Sequence, residues 1–188
     1  CPLIMRGARQ VGKSWSITDF GHKNFESVVV ADFEKKPELK HCFHNLEPKR
    51  MLERLEFYLK QPIQAGKTLL FFDEIQLCPQ AVTSLRYFKE EIPQLHVISA
   101  GSLLEFVLND EKLSFPVGRV EFLFMRPLSF IEFLQAIHEQ KTVDLIRSIT
   151  LNNPVDQQTH LHLLELVRTY FLIGGMPEVV KTFSETKR

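Results

Sequence analysis

With 188 residues, 44% of them hydrophobic, the chain can bury the core of one full α/β domain, or of a core domain with a small appendage, and needs no disulfide or metal staple to fold. A formal net charge of +0 excludes the whole-chain field that marks a nucleic-acid or membrane-surface binder. Cys1, Cys42 and Cys78 are odd in number and widely spaced, which fits reduced thiols in a cytoplasmic protein, and no apolar run approaches the roughly 18 residues of a membrane span.

Taken in chain order, Pro2 to Met5 is a short apolar run that reads as a buried strand. Gly7 to Ser14 follows it and opens a predicted helix. Val28 to Asp32 is a β-branched run ending in an acid, a second strand. Pro48 to Lys60 carries Met51, Leu52, Leu55, Tyr58 and Leu59 at helical spacing against a face of Lys, Arg and Glu. Leu69 to Phe72, Leu95 to Ile98 and Val120 to Phe124 supply three further strands, with helix-compatible stretches between them. Five buried strands with helical crossovers make an α/β protein, a three-layer sandwich around a parallel sheet.

Ser102-Leu-Leu-Glu105 and Ser129-Phe-Ile-Glu132 have the form of capping boxes and place helix starts after the fourth and fifth strands. The second begins a helical tail. It comprises Phe130 to Gln140, a polar interruption that includes Asn152-Asn153-Pro154, a helix from about His160 to Ile173, and a break at Gly174-Gly175-Met176-Pro177. The expected division is a core over residues 1–126 and a small helical lid over 127–188. The chain opens on Cys1 just before a strand and closes on Lys187-Arg188 without an evident final element, which reads as a piece of a longer protein.

Gly7, Ala8, Arg9, Gln10, Val11, Gly12, Lys13 and Ser14 match G-x-x-x-x-G-K-[ST], between a strand and a helix as that pattern requires. Such a loop turns its backbone N–H groups toward phosphate oxygens, and the following helix presents its positive end to the same anion. Lys13 is placed to reach the β- and γ-phosphates, and Ser14 to offer its hydroxyl to Mg²⁺.

Leu69-Leu-Phe-Phe-Asp-Glu74 is a strand whose tip carries two acids, and ligands of open α/β sheets bind at such tips. Asp73 is the candidate magnesium ligand and Glu74 the candidate base for the attacking water. A strand between these two motifs in sequence suits the additional-strand branch of P-loop ATPases, and no Asn-Lys-x-Asp guanine reader is present, so ATP is expected rather than GTP. Ser99 and Ser102 are both candidates for sensing the γ-phosphate. Ser99 is favoured because it ends the predicted strand, whereas Ser102 has a rival role as a helix cap.

Other features point away from chemistry. His41 and His44 lack a second Cys or His pair to complete a four-ligand zinc site. His160 and His162, two apart on a helix, do not share a face. Trp15 is expected to pack within its helix rather than against adenine.

Together with Asp32-Phe-Glu34, Leu85-Arg-Tyr-Phe88, Ala100-Gly-Ser-Leu-Leu-Glu105, Phe115-Pro-Val-Gly-Arg119, Arg126-Pro-Leu-Ser-Phe-Ile-Glu-Phe133 and Gly174-Gly-Met-Pro-Glu178, these motifs resemble the bacterial and archaeal AAA-type ATPases that carry a C-terminal domain of unknown function after the lid. The resemblance covers nearly the whole chain. It implies strand order 5-1-4-3-2, ATP hydrolysis with Mg²⁺, a C-terminal domain of the same chain as partner, and a possible homo-oligomer. Arg119, just before the fifth strand, stands where many AAA proteins carry the arginine that completes a neighbour's site. Gly174-Gly175-Met176 stands where a second sensor arginine is expected.

A hydrolysing ATPase is the first reading, with a slow nucleotide-dependent binding switch as the alternative. A small-molecule kinase would need an acceptor cluster that the sequence lacks. Neither DNA nor protein is singled out as the partner on which ATP would be spent.

Overall fold

The computed structural model describes residues 1–102, 118–150 and 154–186. The chain falls into two compact units, Cys1–Met125 and Arg126–Arg188.

The first unit holds a five-stranded parallel sheet in the order β2-β3-β4-β1-β5. Its strands are β1 (Leu3–Arg6), β2 (Ser27–Asp32), β3 (Thr68–Asp73), β4 (His96–Gly101) and β5 (Glu121–Phe124). Read from the other edge this is the order 5-1-4-3-2. β3 is buried on both faces, which is why Leu69 to Phe72 form an unbroken apolar run rather than an alternating one.

Among the described residues, three helices cover the sheet: α1 (Lys13–Asn24), α2 (Pro48–Leu59) and α3 (Pro79–Glu91). Alternation along the strands decides which side each meets. Ile4, Val29, Leu70, Phe72 and Val97 form one core with Met51 and Leu55 of α2, and with Leu85 and Phe88 of α3. Met5, Leu69, Phe71, Ile98 and Ala100 face the other way, against Ile17 of α1. The sheet therefore carries helices on both sides.

α1 lies close to the sheet because Gly21 has no side chain. A Cβ there would come 2.6 Å from Val28 Cγ2 and 2.8 Å from Leu69 Cδ2. Lys13, Ile17 and Gly21, four residues apart, are buried along one side of the helix. Trp15 falls on the opposite side and is 72% exposed, so the expectation that it packs within its helix is corrected. Pro48 opens α2 with a preset φ, and Lys60, at φ 53, leaves the helix one residue before its expected end. Tyr58, expected on the apolar stripe, is 43% exposed.

The second unit contains α4 (Phe130–Ala136), α5 (Gln140–Ser148), α6 (Gln157–Ile173) and α7 (Pro177–Thr186). Its core gathers Phe133, Leu134, Val143 and Val180, with Tyr170 packed against them. The Ser129 capping box forms: its backbone N–H donates to Glu132 Oε2 at 2.7 Å, and its hydroxyl accepts from the Glu132 N–H. α4 is shorter than expected because His138 takes a left-handed φ of 67 and a new helix begins at Gln140. α5 thus occupies a stretch expected to be partly polar interruption. Asp156 caps α6, accepting from the N–H groups of Gln158 and Thr159 at 2.9 and 3.0 Å.

Residues 103–105 of the first capping box, 115–117 of the block before Arg119, and 152–153 of the interruption lie outside the described residues. Among the described residues no helix is long and apolar enough to cross a membrane.

Candidate nucleotide site

β1 ends at Arg6, and the chain turns through Gly7 to Gly12 before α1 begins. Gly7 has φ 148, and a Cβ on it would lie 2.1 Å from the carbonyl oxygen of Met125. That carbonyl belongs to the residue whose N–H donates to Arg6 O at 2.8 Å, so the exit of β5 closes directly on the start of the loop. Only glycine fits there. Gly12, at φ 96, is the N-cap of α1, and its carbonyl accepts the first helical bond from Ser16 N–H at 2.9 Å.

Lys13 is 7% exposed and curls back over its own loop, where Nζ donates to Gly7 O at 2.9 Å and to Ala8 O at 2.6 Å. Burial pushes its ammonium down, while Glu74 and Asp73 pull it back up. The lysine is thus held by two loop carbonyls and lies within the field of two carboxylates. A phosphate group entering the loop would meet this cation together with the N-terminal N–H groups of a 12-residue helix.

Asp73 ends β3 and is hydrogen-bonded by the Ser14 side chain and by the Glu74 N–H, the latter at 3.1 Å. Burial pushes its carboxyl above the usual range by more than those bonds pull it down. Ser14 and Asp73, the two expected magnesium ligands, are thus in direct contact. An oxygen pair of this kind suits a hard divalent cation that keeps most of its waters.

Glu74 takes a left-handed φ of 50 where the chain turns from β3 into a 3-10 segment, Ile75–Leu77. Its Oε2 accepts a hydrogen bond from Gln76 Nε2. Sequence reasoning missed Gln76, since nothing in a lone glutamine two residues after an acid signals the contact. Asp32, opposite Asp73 in the strand register, is a further neighbour. Burial alone would raise its carboxyl, but hydrogen bonds from the backbone and ammonium of Lys35 hold it below the usual range.

The two serines are placed differently from one another. β4 continues to Gly101, so Ser99 stands inside the strand rather than at its end, paired in register with Ile4 and Phe72. It is fully buried, and its hydroxyl finds no hydrogen-bond partner among the described residues. Ser102 lies past the strand, where its Oγ accepts from Arg9 Nε of the loop at 3.4 Å. The reason for favouring Ser99 is corrected accordingly. Among the other expected loop residues, Val11 is buried, whereas Ala8, Arg9 and Gln10 are exposed.

Arg119 is at the opposite end of the strands from the loop, beside the first residues of β1 and β5. Its carbonyl accepts from Cys1 Sγ at 3.3 Å, and Glu121 N–H, at the start of β5, donates to Pro2 O at 3.0 Å. Its guanidinium donates to Glu90 Oε1 at 2.9 Å, the same oxygen that accepts from Arg86 at 3.1 Å. His41 Nδ1 and His44 Nε2 lie 3.0 Å apart, and among the described residues no group of three or more metal-ligating side chains forms.

Among curated proteins none matches this chain. Among solved structures it is similar to a Drosophila ORC bound to DNA, at 16% identity and a TM-score of 0.51 over 98% of this chain and 55% of that one. It is also similar to the Aeropyrum pernix ORC1 protein in complex with DNA, at 13% identity and a TM-score of 0.47 over 99% of this chain and 59% of that one. This chain thus spans little more than half the length of either structure. The likeness is one of fold. A family model described as an AAA domain matches residues 2–134, well over half the chain, and this chain belongs to that family of P-loop, nucleotide-binding ATPase domains.

Proposed function

We propose that this domain binds ATP with Mg²⁺ on Gly7 to Ser14 and hydrolyses it. The observation that carries the reading is the convergence of Lys13, Ser14, Asp73 and Glu74 at one end of the sheet, beside a glycine loop closed against Met125. In this reading Lys13 exchanges its bonds to the Gly7 and Ala8 carbonyls for phosphate oxygens. Ser14 and Asp73 would hold a magnesium ion, which would supply positive charge to the bound phosphates. Glu74 accepts the proton of the attacking water and aims it in line with the leaving oxygen. Ser102, which touches Arg9, is better placed than the buried Ser99 to report on the loop's occupancy.

The coupled output would be movement of the helical lid over residues 127–188 and of a C-terminal domain of the same chain. The Drosophila ORC relative was solved bound to DNA, which makes DNA the first candidate to test as the partner on which turnover acts.

A thermal shift tests the site directly. ATP with Mg²⁺ at about 100 times its Kd should add roughly 2.7 kcal/mol, raising Tm by about 5–10 °C for a chain of this size. Lys13→Ala should abolish the rise. Asp73→Asn should lose only the magnesium-dependent part of it. Asp73→Asn should also raise the Tm of the nucleotide-free chain near neutral pH. A carboxylate whose folded pKa is raised favours the fold only at low pH, and it opposes the fold once pH climbs past its folded value. Equal nucleotide shifts in all three chains would dismiss the site.

The second reading, a slow binding switch, is favoured by one contact: Gln76 holds the carboxylate that would activate water. In that reading ATP fixes a partner-binding form and turnover is a timer. Gln76→Ala separates the two. If the contact restrains Glu74, steady-state turnover should rise severalfold with ATP affinity unchanged. A rate that is unchanged or lower removes the argument for the switch.

A further inference from the structure

α6 is apolar on two opposite faces. Leu166, Tyr170 and Ile173 turn into the core of the helical unit, where the Tyr170 ring packs 5.4 Å from that of Phe133 and its hydroxyl donates to Leu128 O at 2.8 Å. The opposite face is uncovered. Leu161 is 54% exposed, Phe171 77% and Leu172 86%, and no residue of the helix is fully buried. A surface helix ordinarily turns charge outward on that side, and an exposed apolar stripe of this kind marks an interaction surface.

The stripe also carries a charge pattern that selects its occupant. Leu161, Glu165, Arg168 and Leu172 recur at spacings of four, three and four residues, the repeat of a helix–helix seam. Both charged members are exposed. The order Leu, Glu, Arg, Leu is self-complementary when reversed. If a second α6 lies antiparallel, with a two-fold axis between Glu165 and Arg168, Leu161 meets Leu172 of the second copy. Glu165 then meets Arg168 of the second copy, and symmetry makes every contact twice. A parallel pair would instead oppose Glu165 to Glu165 and Arg168 to Arg168, so charge selects the antiparallel arrangement. Leu164 and Phe171 flank the seam on one side and widen its apolar area.

We propose that this face is a homodimer interface, in which the α6 helices of two copies of the chain pair antiparallel about a two-fold axis between Glu165 and Arg168. A helix of 17 residues is about 25 Å long, so one such pair buries less than the roughly 1,600 Å² of a standard interface and forms a weak, reversible dimer. The contact is isologous and requires no nucleotide. It is therefore independent of any head-to-tail contact that Arg119 would make, and of the ATP reading itself.

Sedimentation velocity of the full chain without nucleotide, from low-micromolar to sub-millimolar concentration, tests it. The expected result is a monomer–dimer equilibrium. E165R sets arginine against Arg168 of the second copy and R168E sets glutamate against Glu165, so each variant alone should weaken the dimer at least about tenfold. An equimolar mixture of the two should recover a heterodimer, because each chain then offers what the other lacks. The double variant E165R/R168E should recover a homodimer. Both positions are exposed, so unchanged circular dichroism melts are expected to show intact folds. Three outcomes overturn the proposal: a parent chain that stays monomeric throughout, leaving the face to another protein; single variants that dimerise like the parent; and a mixture without recovery. A dimer that forms only with ATP and vanishes in Arg119→Ala would overturn it as well, since that contact belongs to the nucleotide site.

Discussion

Glu74→Gln is expected to bind ATP with Mg²⁺ as tightly as the parent chain while its steady-state turnover falls by about 10²- to 10⁴-fold, the usual contribution of a positioned general base. The carboxamide keeps the size and one hydrogen-bonding oxygen of the carboxylate but cannot take a proton from water. The backbone should follow, because the left-handed turn at Glu74 is set by the chain's passage from β3 into its 3-10 segment and glutamine is isosteric with glutamate there. In the proposed reading Lys13 and Ser14 serve the phosphates and the ion while Glu74 serves the attacking water, so affinity is expected to persist.

Two measurements check this: ATP affinity by titration of a fluorescent analogue, and phosphate release at saturating ATP. A variant that turns over at the parent rate takes the proton-accepting role away from Glu74. One that loses affinity along with rate would instead mean that Glu74 supports the loop through its charge on Lys13.

Much of this arrangement is legible in the sequence, for identifiable reasons. Buried strands tend to be nearly continuous apolar runs, and the two runs that matter each end in residues that break the run: Arg6 and Gly7 after β1, Asp73 and Glu74 at the tip of β3. The loop pattern and the parallel sheet therefore reinforce one another before any coordinate is known. What escapes the sequence is set by tertiary contact. Trp15 belongs to the exposed side of α1 only because Gly21 commits the other side to the sheet. Ser99 looks terminal because Ala100 and Gly101 are poor strand formers, yet pairing with Met5 and Arg6 carries the strand through them. α5 is hidden because its buried residues, Thr142 and Val143, give too short a stripe inside a polar stretch. Glu90 is 29 residues from Arg119 and shares no motif with it.

That last contact bears on the remaining prediction. Arg119 stands by the first residues of β1 and β5, whereas the loop leaves the last residue of β1. A four-residue strand at about 3.3 Å per residue separates them by roughly 13 Å, so the guanidinium does not serve the site of its own chain. If it acts at all on a γ-phosphate, it acts on a neighbour's. Glu90 holds it at the surface in the isolated chain and would have to yield it, or share it, when a second site arrives. Turnover per chain should then rise with protein concentration as shared sites assemble by mass action. Arg119→Ala should remove the rise while leaving ATP affinity nearly intact, with a loss of rate that reaches about 10³- to 10⁵-fold where such an arginine is fully engaged. Mixing Arg119→Ala chains with Glu74→Gln chains makes the test sharper. Each is inactive alone, but an assembly of both contains sites with an intact Glu74 on one chain and an intact Arg119 on its neighbour, so part of the parent rate should return. Turnover that is independent of concentration, with no recovery on mixing, would assign Arg119 to the Glu90–Arg86 surface pair alone and leave hydrolysis to Lys13, Ser14, Asp73 and Glu74 of a single chain.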